Sequence, residues 1–515
     1  MTVDDKTTKA IYSLATKAAE QYIRSGLSLH HPTPTVVGLR VITTIEWVVS
    51  FVALMRLGYT VFILSPEISS EKIIKLMEKV DCSIVVDGTF MADEAAAGEL
   101  RSTLRANGKT VIDLLSLASL AHEPSEKYGP NEQDFTQCWP GIQETHPAVI
   151  LHSSGTTGLP KLVYKPHYAV LNRLRTLPGV LHGTSLIGSW HYNSVGFHSM
   201  LFSLSRGNGP AIWSNELIPL EGKEYGEILT KLQPVTAWFN PANLYASVST
   251  SEGLNALKQA DLVVTTGGVF PQQLGRELVG QGVRLVNIYG MSELSAGVRL
   301  IPASRTRGDA DWEYVQAHPD TAPHIWFRPL DDLAGEGSPG TTPLYELVVL
   351  PSHPTQDKQF ANRPDGSFHT GDLFVEHPSR PGCYKCLGRL SDEVRIAPDG
   401  HDHVGLNAIT YEHLAMAGNG DVLQEAVLFG RESPDAGLLL FTRPGGAVAA
   451  EVIVQKVWDA LDQAFRKGDL PLAIKKKMMV VIRDAKVPRT SKGNIIRPEI
   501  YQRWEEDIVA SYVRR

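Results

Sequence analysis

Cysteine is scarce in this sequence, with four residues in 515. That is too few for a disulfide-stapled scaffold, and a reducing compartment suits it better. Cys383 and Cys386 stand as a C-x-x-C in "GCYKCLG", but a zinc site needs two further ligands at short spacing, and none follows. The pair reads instead as two residues of a strand before a turn. Surplus positive charge is also missing: 49 Lys and Arg against 56 Asp and Glu leave a net charge of −7. A general nucleic-acid binder needs cations to neutralise phosphates, so that class is excluded. The most hydrophobic run, "WVVSFVALMRLGYTVFIL", is interrupted by Arg56 and Gly58. It reads as a buried helix running into a buried strand rather than a membrane span. The polar opening "MTVDDKTTKA" is not a secretory signal, so the expected location is cytoplasmic, without a membrane partner. No internal repeat, no low-complexity tract and no "GG-x-S" carrier-protein motif stands out.

What is present is a globular composition, 43% apolar and 20% charged, in a chain too long for one ordinary core. "KAIYSLATKAAEQYIRSG" has apolar residues at helical spacing and ends on glycine. The strand-like segments "TVVGLRV", "TVFILSP" and "CSIVVDG" then alternate with helical patterns. Repeated strand–helix–strand order implies an α/β fold, a parallel sheet covered by helices on both faces. From about residue 310 prolines and glycines crowd together, and "ELVVLP" and "GCYKCLGR" look like short antiparallel strands of a β-rich subdomain. After "GRLSDEVRIAPDG" the chain returns to small α+β units. The expected division is a large N-terminal domain over residues 1–390 and a small C-terminal domain over 391–515.

The most informative decapeptide is "HSSGTTGLPK", His152 to Lys161, directly after an apolar strand. Glycines let backbone N–H groups converge on one point, hydroxyls add donors, and the lysine supplies charge, which together suit a polyphosphate. The spacing is G-x-x-G-x-P-K, not that of the common P-loop. "SSGTTGLPK" resembles the phosphate loop of the adenylate-forming superfamily, which includes acyl-CoA synthetases, adenylation domains of nonribosomal peptide synthetases, and luciferases. Further motifs occur in that family's order. "NIYGMSE" (287–293) is similar to its Tyr-Gly-x-Thr-Glu motif with Ser292 in place of threonine, and "HTGD" (369–372) to Thr-Gly-Asp. "GRLSDEVRI" (388–396) is similar to the Gly-Arg-x-x-Asp hinge motif, and "PRTSKGNIIR" (488–497) imperfectly to the C-terminal lysine motif. The resemblance runs from about residue 10 to 505.

The resemblance implies an enzyme in which a small carboxylic acid attacks the α-phosphate of Mg-ATP, giving an acyl-adenylate and pyrophosphate, after which the acyl group moves to a thiol. By motif position, Ser153, Ser154, Gly155, Thr156, Thr157, Gly158 and Lys161 would hold the β- and γ-phosphates, with Asn287 and Gly290 also on the nucleotide. Ser292 would contact the α-phosphate and Glu293 would help hold Mg²⁺. Tyr289 would stack on adenine, and Asp372 would accept hydrogen bonds from the ribose hydroxyls with Arg389 nearby. Asp392 falls at the hinge about which the family's small, mobile C-terminal domain swings.

One departure stands out. The family has a lysine after the glycine of the C-terminal motif, bridging carboxylate and α-phosphate; here that residue is Asn494. A unit charge at about 4 Å amounts to roughly 4 kcal/mol at an effective dielectric of about 20, and asparagine cannot supply it. Lys492 lies two residues earlier. Fungal synthetase-like proteins resemble this pattern, with lysine before the glycine. Three readings stay open: Lys492 as the substitute catalytic lysine, adenylation without it, or a degenerate, non-catalytic ATP-binding module.

For the acid, the segment "GSWHYNSVGFHSML" (188–201) has no acidic residue to meet an α-ammonium. It resembles the aromatic-His motif of acyl and aryl ligases, with Trp190 and His191 at those positions. With Trp238, Phe239 and Gly267 these residues are the expected substrate contacts. Aromatic walls suit an aryl or aryl α-keto acid by stacking, or a betaine-type quaternary ammonium acid by a cage. The chain also begins near what resembles the family's second helix, so it reads as an excised or stand-alone adenylation unit. Its expected thiol is the phosphopantetheine of a carrier domain, with a downstream reductase or thioesterase; a CoA ligase is the alternative.

Overall fold

The computed structural model describes residues 8–513 apart from 30–33, 67, 89–93, 123–142, 153–158, 177–182, 189–193, 206–209, 213–221, 271, 294–299, 303–307, 331–342, 354–357, 391–392, 397–403, 417–418, 420–421, 431–434, 446–447, 468–469, 471 and 490–494. The chain divides into two compact units, Met1–Thr321 with Pro351–Ala361, and Ala322–Leu350 with Asn362–Arg515.

The first unit is built on two sheets. One contains β1 (Thr35–Arg40), β2 (Tyr59–Ile63), β3 (Ile84–Asp87), β4 (Thr110–Asp113), β5 (Pro147–His152) and β6 (Leu162–Pro166), in the order β4-β3-β1-β2-β5-β6. All neighbours are parallel except β5 and β6, which pair antiparallel. The hydrophobic run over residues 47–64 resolves as read from the sequence. The helix Ile45–Arg56 starts where Thr44 Oγ1 accepts the Trp47 N–H at 3.2 Å, and β2 follows. Gly58 makes the turn between them at φ +88°, a conformation that costs glycine little. Phe62, Leu64, Ile73, Leu76, Val85 and Ile150 form the core on one face of this sheet. Burial of each such side chain contributes about 1.5–3 kcal/mol.

The second sheet contains β7 (Ser185–Gly188), β8 (Pro210–Ile212), β9 (Thr236–Phe239), β10 (Leu262–Thr266) and β11 (Leu285–Ile288) in the order β11-β10-β9-β7-β8, all parallel. Successive strand residues face opposite sides, so this sheet has two cores. Phe239, Val263 and Leu285 pack with Tyr225, Leu257 and Leu278 on one face. Trp238, Val264, Val286 and Ile288 form a smaller cluster with Phe202 on the other. The hairpin of β12 (Leu300–Pro302) and β13 (Val315–Ala317) completes the unit's strands among the described residues.

In the second unit, β14 (Ile325–Pro329), β15 (Leu344–Val349), β16 (Phe368–His377) and β17 (Arg380–Arg389) pair antiparallel in chain order. The short antiparallel strands expected at "ELVVLP" and "GCYKCLGR" are β15 and β17. Cys383 and Cys386 both lie on β17 as free thiols, and burial pushes the Cys386 thiol up. The α+β pattern after residue 391 also holds. β18 (Glu393–Ile396) pairs with β19 (Val404–Asn407), and β20 (Leu423–Phe429), β21 (Gly437–Thr442) and β22 (Met479–Ile482) form a mixed sheet. Leu428, Leu438 and Leu440 of that sheet bury against Tyr411 and Ala415 of the helix Ala408–Met416 and Val457 and Leu461 of the helix Ala450–Arg466.

Candidate functional site

The sequence-predicted residues fall into groups set by strand ends. β5 ends at His152, whose Nε2 accepts the Ser65 N–H at 3.0 Å, fixing the ring at the entrance to the glycine-rich loop. His152 pairs with Leu162 across the antiparallel β5–β6 hairpin, so residues 153–161 connect the two strands. Lys161 is exposed and follows the buried Pro160. Ser153, Ser154, Gly155, Thr156, Thr157 and Gly158 lie outside the described residues, as do Trp190, His191, Asp392, Lys492 and Asn494.

A second group gathers at the C-terminal ends of β9, β10 and β11, the edge at which open parallel sheets bind ligands. Trp238, the last but one residue of β9, packs edge-to-face on Phe202 of the helix Ser194–Ser205, ring centroids 6.0 Å apart. Gly267 follows β10 at φ +87°, and a Cβ there would lie 3.1 Å from Val195 Cγ2 of the same helix. The glycine therefore lets the loop after β10 close on that helix. Past β11, Tyr289 is buried and bridges Leu300, Gly290 lies next to it, Ser292 is buried and Glu293 half-buried. Asn287 is engaged within the fold: its N–H donates to the Trp312 carbonyl at 2.9 Å, and its Nδ2 to the Glu313 carbonyl at 3.4 Å.

Phe239 is a correction. It was expected to line the acid pocket beside Trp238, but adjacent strand residues point to opposite faces. Phe239 is fully buried in the other core, edge-to-face with Tyr225 at 6.0 Å. It also explains Gly188, where a Cβ would come within 2.6 Å of the Phe239 ring. The Trp238 indole nitrogen has the opposite character. It is buried without an acceptor, a condition that costs about 1–3 kcal/mol for a polar group left unmet. Among the described residues no three His, Cys, Asp or Glu side chains cluster as a metal site.

The third group is in the second unit. Asp372 and Arg389 face each other across β16 and β17, with Arg389 Nε 3.3 Å from Asp372 Oδ1. Asp372 is 7% exposed, while the Arg389 side chain is 58% exposed. The motif in the sequence does not point to Glu346 on β15, which accepts hydrogen bonds from Arg328, His369 and the Gly371 N–H. The available signal was a single charge in the apolar segment "LYELVVL". Burial raises the Glu346 carboxyl pKa, but the bonds from Arg328, His369 and Gly371 outweigh it and hold the group below its ordinary value.

Near the C-terminus, Arg489 and Ile495 form an antiparallel bridge and the Ile496 N–H donates to the Pro488 carbonyl at 3.0 Å. Both flanks are anchored by ion pairs. Arg489 meets Glu425 of β20. Arg497 Nη1 and Nη2 reach Glu412 Oε1 and Oε2 at 2.5 and 2.8 Å, with both residues buried. The Leu428 N–H adds a third bond to Glu412 at 2.7 Å.

Comparison with known proteins gives these positions a context. A family model described as AMP-binding enzyme matches residues 11–339, and one described as AMP-binding enzyme C-terminal domain matches residues 406–515. An adenylate-forming reductase of Serpula lacrymans is 24% identical over 502 residues, covering 91% of this chain and 43% of the relative. An adenylate-forming reductase of Aspergillus terreus is 25% identical over 486 residues, covering 90% and 41%. The chain thus spans about two fifths of the length of these curated relatives. Among solved structures, ATP-bound MatB from Rhodopseudomonas palustris is similar with a TM-score of 0.70 at 17% identity, over 97% of this chain and 94% of that one. An anthranilate CoA ligase in complex with anthranoyl-AMP is similar with a TM-score of 0.70 at 14% identity, over 96% and 91%. At such identities the likeness establishes the fold, in agreement with the α/β class read from the sequence.

Proposed function

The chain belongs to the AMP-binding enzyme family, and we propose that it activates a small carboxylic acid of aryl or other non-α-amino type as its adenylate and passes the acyl group to a thiol. The adenylate-forming family uses ATP and Mg²⁺. The observation that carries the reading is the shared edge of β9, β10 and β11, where Trp238, Gly267 and Tyr289 to Glu293 follow one another on one parallel sheet.

A carboxylate oxygen attacks the α-phosphorus in line; the bond to the bridging oxygen breaks, and pyrophosphate leaves with the electron pair. Two anions must be held together, so the protein's task is placement and charge neutralisation. Lys161 and the loop Ser153–Gly158 hold the β- and γ-phosphates in this reading, Ser292 the α-phosphate, Tyr289 the adenine and Asp372 with Arg389 the ribose. Mg²⁺ would screen the phosphates. Glu293, a half-buried carboxylate, suits an ion that takes one or two protein carboxylates and substrate oxygens. Trp238 offers the acid an aromatic wall and an unmet N–H donor. Lys492 supplies the bridging charge absent from Asn494. The functional division is 1–390 and 391–515, with Asp392 as the hinge. The thiol is the phosphopantetheine of a carrier domain, followed by a reductase; the greater length of the adenylate-forming reductases it resembles supports that partnership.

Acid-dependent ATP–pyrophosphate exchange tests this over a panel of aryl, keto, betaine and standard amino acids. Exchange with one non-amino-acid class, abolished by EDTA, is expected. Turnover with CoA in place of a carrier protein reassigns the thiol acceptor. ATP binding without exchange for any acid overturns the proposal in favour of a non-catalytic nucleotide-binding module.

A further inference from the structure

The Thr370–Gly371–Asp372 motif is a β-bulge. On β15 Glu346 faces Leu373 and Val348 faces His369, so a step of two residues on β15 spans four on β16. Gly371 takes φ +69° within the extra length. Bulges of this kind re-aim a side chain next to a site and leave backbone groups off the ladder. Here those groups are met individually. The Gly371 N–H donates to Glu346 Oε1 at 3.1 Å. The Asp372 N–H donates to Thr370 Oγ1 at 3.1 Å, and that hydroxyl donates to the Leu347 carbonyl at 2.8 Å.

Glu346 is itself held on its other oxygen. Oε2 accepts from Arg328 Nη2 at 2.8 Å, from Arg328 Nε at 3.2 Å and from His369 Nδ1 at 3.0 Å. Arg328 sits opposite Glu346 in the β14–β15 register. Glu346 is 4% exposed and takes three of these bonds on Oε2 and one on Oε1, so its position is fixed from two strands. An ion pair placed only for stability gains little when one partner is solvated, as Arg328 is at 32% exposure. Held in this way, the carboxylate fixes the backbone of the bulge one residue before Asp372, whose own side chain is set against Arg389.

We propose that Glu346, anchored by Arg328 and His369, is a positioning residue that holds the Thr370–Asp372 bulge so that the Asp372 carboxylate meets the two ribose hydroxyls of the nucleotide. The inference rests on the reading of Asp372 as the ribose contact. Its consequence is selective: loosening the bulge affects nucleotides through their hydroxyls and spares those without them.

The full chain is titrated calorimetrically, with Mg²⁺, against ATP and 2′,3′-dideoxy-ATP. Glu346→Ala is expected to weaken ATP about tenfold and dideoxy-ATP less than about twofold, the loss of one well-placed hydrogen bond. Glu346→Gln, which keeps an acceptor for the Gly371 N–H, recovers part of the loss. Thr370→Val tests the other holder of the same bulge without touching the ion pair, and the ATP-to-dideoxy-ATP ratio of Glu346→Gln decides the role of Glu346 if Glu346→Ala does not fold. An equal loss for both nucleotides makes Glu346 merely structural, and no loss for either removes its positioning role; both overturn the proposal. A wild-type protein that binds the two nucleotides equally overturns the ribose reading of Asp372 itself.

Discussion

Lys492→Ala lowers the rate of acid-dependent ATP–pyrophosphate exchange about a thousandfold and leaves the affinity for ATP within about threefold. The size is that of the charge Lys492 is proposed to supply: one positive charge at about 4 Å from the reacting anions is worth roughly 4 kcal/mol at an effective dielectric of about 20. Because carboxylate and α-phosphate come together only on the way to the transition state, the loss falls on rate rather than on nucleotide binding. Lys492 is the third of the five residues between the bridged Arg489 and Ile495, whereas Asn494 adjoins Ile495. Asn494→Lys in the Lys492→Ala background restores exchange if the two positions are alternative sources of one charge. Exchange that survives Lys492→Ala unchanged means that adenylation here proceeds without a lysine in this motif.

Arg497→Ala destabilises the second unit by about 3–5 kcal/mol, because it strips a buried carboxylate of its partner. Glu412 would keep only the Leu428 N–H of the three groups that now hold it. Replacing both residues, as in Glu412→Met with Arg497→Met, returns part of the stability, since an apolar pair of similar volume removes the stranded charge while the Leu428 N–H loses its acceptor. Urea denaturation followed by tryptophan fluorescence distinguishes the variants. The deficit also depends on pH. Burial raises the Glu412 carboxyl pKa despite Arg497, and loss of the guanidinium raises it further. A raised folded-state value means that the native state holds the proton longer than the unfolded chain does. The deficit is therefore smallest at or below the ordinary carboxylate range of about 4.3 and grows as pH rises through the elevated folded value. A deficit independent of pH would show that the lost packing of Arg497, not the stranded charge, governs the effect.

The parts of this fold legible in the sequence are those written in local pattern. Arg56 and Gly58 break a long apolar run, and that break is where the helix Ile45–Arg56 turns into β2. The strand before "HSSGTTGLPK" is β5, buried along its middle. The motif at Tyr289 sits at a strand end because the apolar "LVNI" before it is β11. What local pattern conceals is partnership at a distance. Trp238 and Phe239 look equivalent as neighbours in "TAWF", and only the strand's alternation sends one to each core. Glu346 is a lone charge in "LYELVVL" in the sequence, and its partners Arg328, His369 and Gly371 come from β14 and β16. The Thr-Gly-Asp motif shows its residues but not its bulge, which exists only in register with β15. Glu412 and Arg497 are 85 residues apart in sequence, so their pairing is invisible to any local window.

In the proposed reaction a carboxylate oxygen of the substrate becomes bonded to the α-phosphorus of ATP. Incubating the full chain with ATP and the acid that supports exchange, labelled with ¹⁸O in its carboxylate, reads that bond directly. Hydroxylamine, added to attack the acyl carbon, cleaves the acyl–oxygen bond and leaves the transferred oxygen on AMP. Mass spectrometry is expected to find one ¹⁸O in AMP, with unlabelled pyrophosphate formed in equal amount. Label in inorganic phosphate with ADP as the co-product, or AMP free of ¹⁸O, would contradict attack at the α-phosphorus.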